Sequence, residues 1–356
     1  MQLSNQEKNT ETLLKIDSTY KIVSTHPGEI YFELFKNFPS KIYSEEELRF
    51  KQTESVSSDH LVGCYLLFRN EEIVGRFALY NNLLLFYNNK KAACIGSYEC
   101  INEEEASKAL LGFARQEAQK TGAEFLIGPM EGSTWNNYRF SNYNYHPNFF
   151  LEPYHHTHYN QHFIDNGFAC IAEYESTLAP KFSINTSKVN ALEKDLKSKG
   201  LTFRKLDITN IDTELLKLAY FSNEAFKENF LYTPINPNVF VEKYKKIIPF
   251  INPEYVWMAE ESNGNLVGVH FCYDSKYQHQ KTLVIKSLAR SKNKNYNGLG
   301  NYLAAKLINK AFNDGYEYMI YAFMQKNNTS VMKLSDELKA VEYKSYSLYG
   351  TSLHHP

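Results

Sequence analysis

The sequence predicts a mixed α/β protein in which two similar units follow one another in tandem. A hairpin pattern occurs twice, as NEEIVGRFALY at 70–80 and as NGNLVGVHFCY at 263–273. Three later positions recur at the same offset, with Asn102, Leu110 and Gly122 in the first copy matched by Asn295, Leu303 and Gly315 in the second. A repeat that stays in register over this distance indicates two copies of one supersecondary unit.

Each copy places an antiparallel hairpin before a strand–helix–strand pattern. This order is typical of a mixed sheet with a parallel core and flanking helices. In the first copy, Asn102 is a suitable N-cap for the helix, and Gly122 is a suitable residue to follow its last turn. The strands expected in this copy are 61–68, 73–80, 92–99 and 124–128.

The second copy repeats the same order of elements. Its helix is expected over 301–313, where Leu303, Leu307 and Phe312 fall at helical spacing and Gly315 follows the last turn. The strands expected in this copy are 256–260, 266–273, 281–289 and 318–323.

The domain boundaries are expected to follow the two copies. Residues 1–19 are polar and are expected to form a loosely held tail, 20–177 to form the first unit, and 201–356 to form the second. Between the units, 178–200 begins with LAPKFSINTSKVN and continues as a charged helical pattern. We expect this stretch to be the linker.

Composition excludes several classes of partner. The chain has 356 residues and a formal net charge of −1, so no overall field is expected to attract nucleic acid or an acidic membrane surface. The start of the chain lacks a basic and apolar signal, and no apolar run approaches the ~20 residues that span a bilayer. The five cysteines form no CxxC pair and fit a reducing compartment. We expect a cytoplasmic protein with no nucleic acid or membrane partner; a homodimer remains open.

The two copies differ at the start of the helix. The second copy reads NYNGLG at 295–300, whereas the first reads NEEEAS at 102–107. A helix N-terminus carries unpaired N–H groups and the positive end of the dipole, and glycine lets a diphosphate approach the backbone. A tight turn alone would also explain glycine, but Glu103, Glu104 and Glu105 at the equivalent turn would repel a phosphate. The sequence therefore predicts an anion site in the second copy only.

These residues resemble the GNAT superfamily of acyl-CoA-dependent N-acyltransferases. NYNGLGNYLAAKL is similar to the pyrophosphate loop and its helix, and KNNTSVMKLSDEL is similar to the segment that follows. Nearly the whole chain also looks like bacterial tandem-GNAT proteins. The resemblance implies acetyl-CoA or another acyl-CoA as cosubstrate. The residues implied to hold it are Leu288, Ala289, Arg290, Asn295, Tyr296, Asn297, Gly298, Leu299, Gly300, Asn301, Asn327 and Ser330.

The chain departs from the superfamily pattern at several positions. Asn295 replaces the usual Arg or Gln beside the diphosphate, and Arg290 stands where a small apolar residue usually precedes the loop. Leu334 stands where many members carry the tyrosine that protonates the departing thiolate. The strand expected at 281–289 lacks a carboxylate.

The resemblance implies transfer of an acyl group to a primary amine of a small molecule or peptide. A backbone N–H around 288–290 would then meet the developing oxyanion. Glu260 is the first candidate base, although a solvated strand end explains it too, and Glu261, His270 and Asp274 are others. Tyr346 is the candidate acid. It lies in the alternating pattern YKSYSLY, which also predicts a packed strand.

An aromatic stretch and a group of histidines are two further candidates for a functional site. The stretch 129–153 is aromatic and poorly periodic, as functional segments often are. In it, Trp135 and Tyr138 could flank the acceptor and Arg139 could meet its carboxylate, although packing explains these residues as well. The only metal-like cluster of the sequence is His155, His156, His158 and His162. It lacks the HExxH glutamate, so we expect a helix that caps the first unit and no metal.

Two other functions stay open at this point. A non-catalytic GNAT-like binding or scaffold protein would account for the missing acid and the missing strand carboxylate. Aminoacyl transfer from charged tRNA, as in the Fem family, also uses tandem GNAT domains. That family, however, usually lacks an intact pyrophosphate loop and often carries a basic coiled-coil arm.

Overall fold

The computed structural model describes residues 13–15, 19–51, 56–180, 186–326 and 340–353. Its strands, in chain order, are β1 (Leu13–Lys15), β2 (Tyr20–Thr25), β3 (Leu61–Arg69), β4 (Glu72–Tyr80), β5 (Phe86–Tyr87), β6 (Lys90–Cys100), β7 (Phe125–Gly128), β8 (Phe140–Ser141), β9 (Ala169–Pro180), β10 (Thr202–Lys205), β11 (Val256–Glu260), β12 (Leu266–Asp274), β13 (Thr282–Arg290), β14 (Tyr318–Gln325) and β15 (Val341–Ser352). Its α-helices are α1 (Ile30–Asn37), α2 (Pro39–Ile42), α3 (Glu45–Leu48), α4 (Glu104–Lys120), α5 (His158–Asp165), α6 (Thr186–Ser198), α7 (Ile211–Ala225), α8 (Pro237–Lys245) and α9 (Leu299–Asn313).

The chain forms two compact units, and neither is contiguous in sequence. The first contains residues up to Tyr143, Glu152–Glu173 and the chain from Tyr346 onward. The second contains Asn144–Leu151 and Tyr174–Ser345. The chain therefore changes unit inside β9 and again inside β15. These units differ from the two sequential blocks expected from the sequence, because the period-two pattern of a strand does not record which sheet the strand joins.

The sheet of the first unit has the strand order β1-β2-β3-β4-β6-β7-β15. β3 and β4 form the expected hairpin, whose turn places Asn70 and Glu71 at positive φ, as a type I′ turn requires. β6 and β7 run parallel from Ala92 to Cys94 of β6, and α4 connects them. The last part of β15 then pairs antiparallel with β7 through 349–352.

The sheet of the second unit has the strand order β9-β14-β13-β12-β11-β10. β11 and β12 form the hairpin, β13 and β14 run parallel with α9 between them in sequence, and the last part of β9 pairs antiparallel with β14. Each strand of the repeat has a counterpart in the first unit. This correspondence confirms a mixed α/β fold with two units of one design, each a mixed sheet flanked by helices.

One glycine in each hairpin lets the connecting helix approach the sheet. A Cβ added to Gly75 on β4 would lie 2.9 Å from Leu110 Cδ2 of α4, and one added to Gly268 on β12 would lie 3.0 Å from Leu303 Cδ1 of α9. Both leucines are fully buried, which stabilises each copy by about 1.5–3 kcal/mol per side chain. The glycine and leucine that recur in the sequence therefore reflect the same helix-on-sheet packing.

Two expected segments take a different structure. Residues 13–15, expected in the tail, form β1 and pair antiparallel with β2. The expected linker contains the end of β9 and all of α6. Val189 and Leu196 of α6 are buried in one cluster with Leu299 and Leu303 of α9. A helix with such an apolar face is held by packing, so this segment is part of the second unit.

The start of α4 also differs from the expectation. Its N-cap is Glu103 rather than Asn102, and the helix begins at Glu104. Helix ends fray, so the first helical residue commonly differs by one or two positions from the expected one.

A buried charge network holds the first unit together around Glu99 on β6. Lys51 Nζ lies 3.0 Å from the Glu99 carboxylate and Arg76 lies 3.6 Å from it. The hydroxyls of Tyr43 and Tyr159 donate to Glu99 at 2.5 and 2.8 Å. Burial alone would raise the pKa of Glu99, but the two cations outweigh it and hold the pKa at about 2. Glu99 therefore remains an anion and neutralises two buried cations.

We expect Glu99→Gln to destabilise the first unit by about 3–5 kcal/mol, because it removes the buried carboxylate that Lys51 and Arg76 share. Urea unfolding of the full chain, followed at several wavelengths, measures the loss. Glu71→Gln is the matched control, since the Glu71–Lys21 ion pair is exposed and its removal should change little.

The same network makes the free energy of unfolding depend on pH. The folded pKa of Glu99 lies below its unfolded value of about 4.3, so its contribution is complete above that value. It is lost as the pH falls toward 2. Glu99→Gln should lack this acid-dependent loss. Equal stability of the Glu99 and Glu71 variants across the pH range would contradict this account of the network.

Candidate functional site

The parallel pairing in the second unit ends partway along β13. Within the described chain, the register with β14 runs from Thr282 opposite Tyr318 to Ile285 opposite Tyr321 and no further. Beyond this point β13 continues to Arg290. The two strands are therefore no longer paired with each other, and we call the unpaired region beyond Ile285 and Tyr321 the splay.

Both strands are irregular where the splay begins. Cys272 and Phe271 are consecutive on β12, but their partners on β13 are Ile285 and Ser287. Lys286 between them has no partner on β12 and is the extra residue of a β-bulge. On β14, Phe323 has a φ of 58° and donates its N–H to Ser176 Oγ at 3.2 Å. Lys286 Nζ lies 4.5 Å from the centre of the Phe323 ring. The side chain of Lys286 thus reaches from β13 to β14 at the mouth of the splay.

The chain turns from β13 into α9 through a short 3₁₀ turn, Lys294–Tyr296. The turn uses its own amides, since the N–H of Asn295 donates to the Asn293 side chain at 3.0 Å and that of Asn297 donates to the Lys294 carbonyl at 3.3 Å. The Tyr296 hydroxyl donates to Glu261 at 2.7 Å, which anchors the turn. Asn295, Tyr296 and Asn297 therefore shape the loop rather than present N–H groups.

The first N–H groups of α9, in contrast, have no acceptor within the helix. The first intrahelical bond runs from the Tyr302 N–H to the Gly298 carbonyl at 2.9 Å, so the N–H groups of Leu299, Gly300 and Asn301 precede the helical ladder. α9 has 15 residues and places the positive end of its dipole here. Of the predicted loop, this part can bind an anion.

The two loop glycines serve different purposes. Gly298 is the N-cap of α9 with a φ of 87°, and a Cβ there would lie 2.8 Å from Leu192 Cδ1 of α6. Gly298 is thus required by the fold itself. Gly300 has no such φ, and its missing Cβ would lie 3.3 Å from Arg290 Cδ. The Arg290 side chain therefore runs alongside the start of α9, with its Nη1 donating to the Ser291 carbonyl at 3.0 Å.

The remaining predicted cofactor residues are only partly described. Leu288 is 38 % exposed, Ala289 is buried, and both lie on β13 between the splay and Arg290. Asn327 and Ser330 lie outside the described residues, so their predicted role stays a prediction.

The first unit presents a different surface at the equivalent place. Glu103 caps α4 and forms an ion pair with Arg69, and Glu104 and Glu105 occupy the first turn. These carboxylates lie where an anion would approach the helix.

Aromatic side chains fill the corresponding region beside β6. Tyr98 lies beyond the stretch in which β6 pairs with β7 and is fully buried. Its ring centre lies 5.3 Å from that of Tyr159, 5.1 Å from that of Phe163 and 6.3 Å from that of Phe140. In both units the parallel pairing therefore ends before the longer strand does, and in the first unit aromatic side chains fill the region beyond it.

Glu260, the candidate base, is held in an ion-pair network. Arg204 donates to both of its carboxylate oxygens, at 2.6 and 2.8 Å, and Lys217 lies 3.1 Å away. The hydrogen bond from Arg204 is the main cause that lowers the pKa of Glu260. Glu260 also lies on β11, two strands from β13, roughly 10 Å across the sheet. Glu260 therefore does not lie at the splay. Its lowered pKa also makes it a weak base.

The other candidate residues belong to the first unit. Tyr346 is buried on β15 and donates its hydroxyl to Glu152 at 2.7 Å, a packing contact of that unit. Trp135 and Tyr138 are half-buried. Arg139 is only 4 % exposed, and its guanidinium stacks 3.7 Å from the centre of the Tyr138 ring. A side chain so enclosed presents little surface to a substrate.

His270, another candidate base, lies on β12 and is buried. Its Nδ1 lies 3.2 Å from the Leu303 carbonyl, and burial lowers its pKa to about 4. It is therefore a neutral core histidine near pH 7, packed between the sheet and α9.

Sequence reasoning missed Lys286. A lysine inside an apolar strand pattern is a visible departure, but its position on a bulge depends on the pairing of three strands. The pattern therefore could have drawn attention to Lys286 without indicating what it contacts.

Residues 223–337 match the model of the acetyltransferase (GNAT) family. The matched residues lie within the second unit. A comparison with curated protein sequences finds no match.

Similarity to solved GNAT structures covers nearly the whole chain. A tandem GNAT protein from the clavulanic acid biosynthesis pathway matches with a TM-score of 0.54 and 9% identity, over 95% of this chain and 99% of that one. A GCN5-related N-acetyltransferase from Anabaena variabilis has a TM-score of 0.55 and 8% identity, over 94% and 73%. A probable N-acyltransferase of Enterococcus faecalis has a TM-score of 0.55 and 10% identity, also over 94% and 73%. At such identities the likeness establishes the fold alone. None of the helices in the described parts of this chain combines the length and apolar character of a membrane span.

The histidine cluster lies at and just before α5, which forms the expected helix over His158–Asp165. His162 Nδ1 lies 3.0 Å from the Tyr98 hydroxyl and His158 Nε2 lies 3.3 Å from the Cys100 carbonyl. Burial lowers the pKa of His155 to about 3 and that of His162 to about 4. In the described chain, no group of three His, Cys, Asp or Glu side chains is arranged to hold a metal.

We therefore expect tag-free protein to carry far less than one zinc ion per chain. Elemental analysis after dialysis against zinc tests this, with the His158→Ala, His162→Ala double variant as the comparison. About one zinc per chain that disappears in the double variant would show that the cluster binds metal after all.

Proposed function

We propose that this chain is a GNAT-superfamily protein that transfers an acyl group, acetyl in the simplest case, from acyl-CoA to a primary amine of a small molecule or peptide. The observation that carries the proposal is that β13 leads directly from the splay to the N-terminus of α9. An extended ligand with a diphosphate at one end matches this arrangement.

The residues at the start of α9 suit a diphosphate. Three N–H groups precede the helical ladder, and Gly300 leaves room beside them. The segment 286–301 contains four basic and no acidic side chains, the basic ones being Lys286, Arg290, Lys292 and Lys294. Asn295 lacks the charge usual in the family, but Arg290 places a guanidinium alongside the same helix start. Local charge and backbone geometry thus both favour an anion.

The exposed edge of β13 suits the arm between the diphosphate and the acyl group. From Arg290 to Lys286 the strand covers roughly 13 Å. An unpaired strand edge binds an extended, amide-containing chain as it would bind another strand. The bound acyl-CoA would supply the thioester carbonyl that the amine attacks. The backbone N–H groups at the Lys286 bulge would then stabilise the oxyanion, which moves the expected donor from 288–290 toward the mouth of the splay.

The amine proton needs an acceptor other than Glu260, whose carboxylate is engaged by Arg204 and Lys217. We assign this proton to solvent water. Acyl transfer from a thioester depends mainly on holding a neutral amine in line with the carbonyl, so a dedicated base is not required for substantial catalysis.

A non-catalytic acyl-CoA-binding protein is the second candidate. It is favoured because Glu260 and Tyr346, the two residues expected to transfer protons, are both engaged in structural contacts. Incubation with acetyl-CoA and a panel of primary amines separates the two functions. Amine-dependent release of free CoA thiol supports transfer, whereas binding without release supports the second candidate.

Gly300→Ala should weaken CoA binding by about tenfold, which corresponds to about 1.4 kcal/mol, because the added Cβ fills the space beside the helix N–H groups. Gly300→Glu adds a negative charge at that position and should abolish binding. Gly300 is the better position for this test, since substitution at Gly298 would strain the backbone and strike Leu192. Isothermal calorimetry with CoA measures both effects.

Gly112→Ala is the matched control, because Gly112 lies within α4 and a Cβ there meets nothing within 4 Å. This variant should bind CoA as the wild type does. Wild-type affinity in folded Gly300→Glu would show that the diphosphate does not lie at α9.

Calorimetry should also give a stoichiometry of about one CoA per chain, since the start of α9 lacks acidic side chains, whereas the start of the matching helix α4 carries three. Gly300→Glu should remove this single site. A value near two, or a value near one that survives Gly300→Glu, would place a CoA site in the first unit.

A further inference from the structure

We propose that the Lys286 ammonium is the cationic partner of the thiolate that leaves during acyl transfer. The inference rests on the proposed function, because it requires acyl-CoA along β13. It gives this chain a catalytic residue at a position where the sequence indicated none.

The first support is the position of Lys286 along β13. Lys286 is the bulge residue directly after Ile285, the last residue of β13 paired with β14. A ligand anchored at α9 and extended along the unpaired edge of β13 ends at this point, roughly 13 Å from Arg290. The sulfur of such a ligand would therefore arrive at the bulge.

The second support is the direction of the side chain. Lys286 is half-buried, and its Nζ lies 4.5 Å from the centre of the Phe323 ring on the opposite strand. Phe323 itself sits at the irregularity of β14, with its N–H held by Ser176. The ring thus positions the ammonium across the mouth of the splay rather than out in solvent.

The third support is a comparison with Lys276, which also lies over aromatic rings in the second unit. Lys276 Nζ is 4.2 Å from the ring centres of both Phe150 and Phe250. It follows β12, outside the bulge and the splay. Lys276 and Lys286 therefore make the same kind of ring contact, but of these two Lys286 is the one that lies where the pairing of β13 with β14 ends.

The chemical step is balanced without a further reagent. The amine nitrogen forms a bond to the thioester carbon, and the carbon–sulfur bond breaks with its electron pair remaining on sulfur. The resulting thiolate pairs with the Lys286 ammonium, which keeps its proton. The proton lost by the amine goes to water, and the thiolate takes a proton from the medium after release.

An ammonium within about 4–6 Å lowers the pKa of a thiol by about 1–3 units. The experiment measures this effect on bound CoA without knowledge of the acceptor. Calorimetry of the full chain compares CoA with S-ethyl-CoA, which has no ionisable thiol, between pH 7 and pH 9.5. Lysine remains charged over most of this range, since its ordinary pKa is about 10.4.

In the wild type, the affinity for CoA relative to S-ethyl-CoA should rise about sevenfold from pH 7 to pH 9.5, as follows from lowering a thiol pKa of about 8.5 by one unit. Lys286→Met should abolish the rise, whereas Lys286→Arg, which keeps the charge, should retain it. Lys276→Met should also retain the rise, because it removes a matched cation–ring contact outside the splay. Lys286→Gln serves as the neutral variant if the methionine variant does not fold.

Each other outcome overturns the proposal. A flat ratio in the wild type, or a rise that persists in Lys286→Met or Lys286→Gln, shows that the ammonium does not face the sulfur. Equal losses in the Lys276 and Lys286 variants show a packing role for both. If neither CoA nor S-ethyl-CoA binds the wild type, the proposed function fails and this inference fails with it. If both bind and only the pH effect is missing, the proposed function stands and the role of Lys286 alone is wrong.

Discussion

The end of parallel pairing after Ile285 is the constraint on which the candidate site depends. Two parallel strands joined by a helix ordinarily satisfy each other's backbone groups along their whole length. Here β13 continues beyond the last residue that pairs with β14. A bulge lies at Lys286 on β13, and an irregularity lies at Phe323 on β14. The unpaired edge of β13 follows directly from that ending, while the N–H groups at the start of α9 lack intrahelical partners as they do at any helix N-terminus. They supply the backbone donors that the proposed cosubstrate requires.

The two units show how one fold can keep or lose such a site. Both have the same strand order around the parallel pair, and both pack a leucine of the connecting helix onto a hairpin glycine. In the first unit, however, three glutamates crowd the helix start, and Tyr98 is packed among aromatic rings beside β6. The fold is therefore shared, while anion binding depends on a few side chains set on it.

A buried carboxylate in each unit is engaged by two basic side chains. In the first unit, Glu99 neutralises Lys51 and Arg76 in the interior, so its charge is committed to stability. In the second unit, Glu260 is likewise committed to Arg204 and Lys217. Neither carboxylate is placed for proton transfer. Positioning and local positive charge, rather than a carboxylate base, are what the second unit offers to a reaction.

Much of the fold could be predicted because its determinants are local. The hairpins, the two connecting helices and the strands beside them follow from period-two and helical spacing, and each was found close to its expected bounds. The repeated glycine and leucine also correspond to a packing contact in each unit, between Gly75 and Leu110 in the first and between Gly268 and Leu303 in the second. The N-cap of α4 shifted by one residue, and α6 replaced the expected linker because its apolar face packs with α9. That contact joins segments more than a hundred residues apart, which no local pattern records.

By itself, the sequence determined the two-unit mixed α/β architecture, the glycine-containing turn before α9 and the acidic turn that replaces it before α4. Only the tertiary structure decided that Gly298 is required by Leu192, that Gly300 and Arg290 border the helix start, and that Tyr346 belongs to the first unit. It also decided that Glu260 is neutralised and that Lys286 lies across the splay. The physical reason is that spacing along the chain determines the face on which a residue lies. The charge or ring that faces it comes from distant strands and helices.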